Sequence, residues 1–123
     1  MANILFLDDE EKILNTYKRM LHFSNIKGFY SKNIVEALKI LGNEKIDLII
    51  SDYRLEQETG LDFLTQARKK ECQVPMVIIS GYAEENFIKN AMELNIVQAY
   101  LIKPISFEVF NKLINDYLPE EKL

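Results

Sequence analysis

Cysteine is nearly absent from this chain: Cys72 is the single one, so no internal disulfide can form and the fold needs no oxidising compartment. With 4 glycines and 3 prolines in 123 residues, neither a collagen-like repeat nor a low-complexity linker fits. One histidine, His22, rules out a histidine-rich metal site. It follows Leu21 near the end of a helical pattern, where a polar or cationic residue is ordinary. No apolar run approaches the roughly 20 residues that span a bilayer. The opening MANILFLDDEE meets acids where a secretory signal would stay apolar, so a cytoplasmic protein is expected. A clustered basic face is missing too. The net charge is −4, and the nearest cationic run, Arg68-Lys69-Lys70, is followed at once by Glu71. That run reads as a solvated helix end, and direct nucleic-acid binding is not expected.

What remains is ordinary globular material, 48% apolar and 28% charged. A chain of this length makes one domain with one continuous fold, burying roughly two-thirds of its unfolded surface. Residues 1–118 read as that domain, and 119–123 as a tail or the start of a linker, because the last helical pattern stops before Pro119.

Apolar periodicity alternates between two kinds of segment. Short continuous runs at Ile4–Leu7, Ile46–Ser51, Val74–Ile79 and Ala99–Ile102, with a weaker one around Gly28–Tyr30, predict strands. Between them, residues such as Leu14, Tyr17 and Leu21, or Phe107, Phe110, Leu113 and Ile114, recur at helical spacing. Ser31 or Asn33 would cap the second helix, and Gly42-Asn43 would close it. Five strands alternating with five helices predict a doubly wound α/β fold with a parallel sheet covered on both faces.

In such a sheet, ligands bind beyond the carboxyl ends of the strands. Four predicted strands end in polar groups: Asp8-Asp9, Asp52, Ser80 and Lys103. Parallel strands would bring all of them to one rim. Three carboxylates there carry −3, and Lys103 with a divalent cation would bring the sum to zero. An all-oxygen donor set suits Mg²⁺, with Mn²⁺ as a substitute. A carboxylate beside a metal and an ammonium is a plausible acceptor for a phosphoryl group.

These residues together resemble the receiver domain of two-component response regulators. The segments LFLDDEE, LIISDYRLEQETGLDFL, VPMVIISGYAEE and AYLIKPIS carry the resemblance, which extends from Ile4 to about Tyr117. It implies a flavodoxin-like (βα)5 fold with strand order 2-1-3-4-5. It also implies a phosphorelay switch rather than an enzyme with turnover. Asp52 would take a phosphoryl group from a sensor histidine kinase or phosphotransfer protein. Asp8, Asp9, Asp52 and the backbone carbonyl of Arg54 would hold Mg²⁺. Lys103, Ser80 and the backbone N–H groups of Arg54 and Gly81 would contact the phosphoryl group. The Lys103-Pro104 bond would be cis. Tyr100 would be the aromatic switch partner of Ser80, altering the face of the fourth helix, fifth strand and fifth helix. A downstream effector or a linked output domain would read that face, and the resemblance admits a phosphorylation-linked homodimer. Bulk at Arg54 and Tyr82 would slow self-dephosphorylation. Glu56 stands where the family often has proline, so the acceptor loop needs another way to fix its path.

Two other classes fit the sequence less well. A phosphatase with an aspartyl nucleophile places two aspartates two residues apart after the first strand, whereas Asp8 and Asp9 are adjacent. A flavin or nucleotide module offers a Gly/Ser/Thr-rich loop there; Asp8-Asp9-Glu10-Glu11 would repel a phosphate.

Overall fold

The computed structural model describes residues 1–70, 72–81, 85–93 and 95–121, with only the backbone of residue 85. Strands β1 (Asn3–Leu7), β2 (Lys27–Ser31), β3 (Leu48–Asp52), β4 (Met76–Ser80) and β5 (Ala99–Ile102) form one sheet in the order 2-1-3-4-5. Every neighbouring pair is parallel. Helices α1 (Glu11–Met20), α2 (Ile34–Asn43), α3 (Gly60–Lys69) and α4 (Glu85–Glu93) make the crossovers, and α5 (Phe107–Tyr117) follows the last strand.

The two-residue period of the strands sorts their apolar side chains into two cores. Ile4, Phe6, Leu48, Ile50, Val77 and Ile79 face α1 and α5, meeting Leu14, Tyr17, Phe110, Leu113 and Ile114. Leu5, Leu7, Ile49, Met76 and Ile78 face the other way, against Ala37 of α2, Phe63 and Leu64 of α3, and Ile88 and Ala91 of α4. Phe6 stacks on Tyr17 with ring centroids 4.4 Å apart. Truncating a fully buried aromatic such as Phe110 would cost about 3–5 kcal/mol.

The starts of α2, α3 and α5 are held by side chains. Asn33 accepts from the Glu36 N–H, and Ser106 from the Val109 N–H. Thr59 and Asp62 form a reciprocal capping box at α3. Of the two residues expected to cap α2, Asn33 does so; Ser31 instead donates its buried hydroxyl to the Phe6 carbonyl.

Three local expectations are corrected. β3 begins at Leu48 rather than Ile46, because Asp47 is drawn off by the Asn3 backbone at 2.8 Å. β4 begins at Met76 rather than Val74, just after Pro75, which has no N–H to donate. Arg68 is also no solvated helix end. Its guanidinium donates to the carbonyls of Cys72 and Ile96 and to the side chain of Gln98, tying α3 to the approaches of β4 and β5.

No helix of the described residues is long and apolar enough to cross a membrane.

Candidate functional site

The parallel sheet gathers the polar strand endings on one rim. Asp8 follows β1 and is buried, its backbone N–H donating to the Ser31 carbonyl at 3.1 Å. One of its carboxylate oxygens accepts the Glu10 N–H at 2.9 Å, which fixes the turn into α1. Asp52 is the last residue of β3 and is 7% exposed. Asp9 is half-buried beside them, and the three residues each offer a carboxylate oxygen within 4.8 Å of the others. Lys103, just past β5, reaches over the sheet edge: its Nζ lies 3.1 Å from Asp52 Oδ1 and 3.5 Å from Asp8 Oδ2.

The electrostatics follow from this crowding. Burial pushes the Asp52 carboxyl up to about 6; the Asp8 charge adds to the rise and Lys103 opposes it. Asp8 is raised as well, chiefly by burial, against the Glu10 N–H and Lys103. For Lys103, burial works against the ammonium, but the Asp52 and Asp8 carboxylates outweigh it and raise its pKa. The chain thus holds an anionic pocket that one ammonium only partly compensates. Carboxylate oxygens without nitrogen or sulfur suit a hard divalent cation. The donor set therefore fits Mg²⁺ or Mn²⁺.

The other expected site residues take these places. Ser80 ends β4, is buried, and donates its hydroxyl to the Gly81 carbonyl at 3.0 Å. Gly81 follows it at the exposed rim. The Lys103-Pro104 bond is cis. Tyr100 sits in β5, half-buried against the core on the α4 side. Arg54 is exposed, two residues past Asp52. Tyr82 lies outside the described residues.

The loop after Asp52, without a proline at Glu56, is fixed by its own backbone. Arg54 and Thr59 form an antiparallel bridge, and the Leu55 N–H donates to Glu58 at 3.0 Å. A cleft of about 430 Å³ opens beside this loop, between Asp9, the start of α2 and residues 55–58. Sequence reasoning missed Ser51. This buried hydroxyl donates to the carbonyl of Asp52, and its only sequence signal is a polar residue directly after the aliphatic run Leu48–Ile50.

A doubly wound (βα)5 sheet with an acidic, lysine-bridged pocket at its carboxyl rim places the chain among flavodoxin-like α/β domains. Within that class it belongs to the response regulator receiver domain family, which matches residues 4–115. It is 36% identical over 127 residues to the transcriptional regulatory protein MalR of Bacillus subtilis strain 168, an overlap covering 100% of this chain and 53% of that protein. The transcriptional regulatory protein DcuR of Escherichia coli K12 is 28% identical over 123 residues, covering 95% of this chain and 50% of its own length. The chain thus spans about half the length of the curated relatives it matches. Among solved structures, a response regulator receiver domain from Clostridium thermocellum superposes with a TM-score of 0.87 at 25% identity, covering 98% of this chain and 96% of that one. A CheY-like receiver domain from Methanospirillum hungatei JF-1 gives 0.85 at 26% identity, covering 98% and 95%.

Proposed function

We propose that Asp52 accepts a phosphoryl group from a sensor histidine kinase or phosphotransfer protein, and that the modification changes which partner the domain engages. The supporting observation is the contact of Lys103 with both Asp52 and Asp8, inside a cluster of carboxylates close enough to share one cation.

Asp8, Asp9, Asp52 and the Arg54 carbonyl would hold Mg²⁺. When bound, the ion would supply positive charge against the carboxylates and the incoming phosphoryl oxygens. The ionised Asp52 carboxylate attacks phosphorus, the bond from phosphorus to the donor imidazole nitrogen breaks, and the imidazole leaves. Lys103 stays beside the new acyl phosphate and pairs with a phosphoryl oxygen. The backbone N–H groups of Arg54 and Gly81 donate to others. Ser80 gives up its bond to the Gly81 carbonyl and donates to the phosphoryl group. Tyr100 then turns toward the space that the hydroxyl leaves. The altered α4-β5-α5 face is read by a downstream effector or a linked output domain. Bulk at Arg54 and Tyr82 slows hydrolysis and lengthens the phosphorylated state. Residues 1–118 form the receiver, with 119–123 a tail or linker start. The domain acts as a cytoplasmic switch that promotes only its own phosphorylation and dephosphorylation, and phosphorylation favours a homodimer.

Incubation with acetyl phosphate, with and without Mg²⁺, followed by intact mass, tests this reading. A single-phosphoryl adduct that requires Mg²⁺ and is lost in Asp52→Asn is expected. No adduct, or an equal one in the variant, overturns it.

A further inference from the structure

Ser51 is a hydroxyl in a fully buried strand whose preceding residues, Leu48, Ile49 and Ile50, are all aliphatic. Such a group is costly to bury unless it is bonded. It donates to the carbonyl of Asp52 at 3.0 Å. On the β1 side the pairing ends at Leu7–Ser51, one residue short of Asp52, while the pairing with β4 runs on through Asp52 and Ile79.

Helix α3 closes over the same spot. Gly60, its first residue, has no side chain to interfere. A Cβ there would run into the Asp52 carbonyl and lie 2.6 Å from the Ser51 hydroxyl oxygen. The Tyr53 N–H, which belongs to the same peptide as the Asp52 carbonyl, donates to Ile79 at 3.0 Å, and the Tyr53 carbonyl on the following peptide accepts from Gly60 at 2.6 Å. Within this clamp, Ser51 supplies a side-chain bond to the acceptor's own peptide group. Holding that carbonyl fixes the backbone torsion that aims the Asp52 side chain at Lys103.

We infer that Ser51 is a positioning residue for the acceptor, its hydroxyl and the bare Cα of Gly60 together fixing the Asp52 peptide so that the carboxylate points into the acidic pocket. The inference rests on the reading of Asp52 as metal ligand and phosphoryl acceptor. Supporting shells that orient a ligand typically change affinity or activity by 10–100-fold.

The test uses the whole chain carrying Ser51→Ala or Ser51→Thr, at a temperature where circular dichroism shows wild-type structure. Titration with Mg²⁺ alone gives the dissociation constant. Intact mass after mixing with acetyl phosphate at saturating Mg²⁺ gives the rate of adduct formation. Ser51→Ala is expected to weaken Mg²⁺ binding and slow adduct formation by roughly tenfold each, with Ser51→Thr returning both to within about twofold of wild type. Ser51→Cys, a weaker donor of similar size, replaces Ser51→Thr if the added methyl prevents folding, and is expected to fall between wild type and Ser51→Ala. A lower melting temperature in Ser51→Ala with both readouts unchanged would mean a merely structural hydroxyl and overturns the inference. If wild type forms no adduct, the acceptor reading fails, and the Mg²⁺ titration still decides the brace. Weaker binding in Ser51→Ala then supports it, and equal binding overturns it.

Discussion

Lys103 reaches two carboxylates from different strands at once, 3.1 Å from Asp52 and 3.5 Å from Asp8. Its side chain is 27% exposed, whereas those of its partners are 8% and 2% exposed, so the ammonium caps the pocket from the solvent side. Removing it leaves buried like charges facing each other without a counter-ion. Lys103→Ala should therefore slow phosphoryl transfer to Asp52 by roughly 10²–10³-fold, the cost typical of losing one transition-state donor. The fold, held by the two apolar cores, should persist. Adduct formation followed by intact mass, with circular dichroism as the control, checks both halves.

The raised Asp52 carboxyl makes the metal-free protein pH-sensitive. Its folded pKa, about 6, lies above the ordinary 3.8, so the fold binds a proton there that the unfolded chain has already released. The stabilisation this supplies is complete below about pH 4 and is lost as pH rises through 6; the raised Asp8 acts in the same direction. In chelator at pH 7.5, Asp52→Asn should be the more stable protein, by on the order of 1–2 kcal/mol. That gain should shrink toward pH 4. Adding Mg²⁺ should stabilise wild type more at pH 7.5 than at pH 5, because the ion and the proton compete for the same oxygens. Thermal melts across that range, with and without Mg²⁺, decide the matter.

Two glycines should respond oppositely to the same substitution. Gly42 lies within α2 with open space where a side chain would stand, so Gly42→Ala should stabilise by about 0.4–1 kcal/mol. Gly60 faces the Asp52 carbonyl and the Ser51 hydroxyl, so Gly60→Ala should destabilise by about 1–3 kcal/mol. Urea unfolding of both variants gives the comparison directly.

Strand positions and the polar rim were legible because their signals are local. The runs Ile4–Leu7 and Leu48–Ile50 are continuous where both faces are buried, and the chemistry comes where they stop. Strand order was not legible from periodicity, which says nothing about which neighbour a strand chooses; it came from the resemblance. Long-range polar contacts were hidden in the same way. Arg68 looks like any cation ending a helix until Gln98 and the Ile96 carbonyl arrive beside it. Asp47 leaves its apolar run for a partner 44 residues away. Ser51 was missed because its partner is the peptide of its own neighbour, a contact that leaves no pattern in composition.

Lifetime offers another check. Arg54 is exposed, two residues past Asp52, and under the proposed mechanism it would stand beside the hydrolytic water. Arg54→Ala should shorten the phosphorylated state by roughly three- to tenfold, since loop residues around a fixed scaffold tune rate without remaking the fold. Tyr82→Ala should act in the same direction. The decay of the adduct after removal of phosphodonor, followed by intact mass, measures both. Unchanged decay in each would remove the lifetime role from these residues.

The most direct measurement locates the phosphoryl group. An aspartyl phosphate is an acyl phosphate, and borohydride reduces its carbonyl to an alcohol, turning the acceptor into homoserine. Treating the Mg²⁺-dependent adduct this way, then sequencing its peptides by tandem mass spectrometry, should place the reduced residue at position 52 and nowhere else. Reduction at another residue, or none in protein that carries the adduct, would contradict the account.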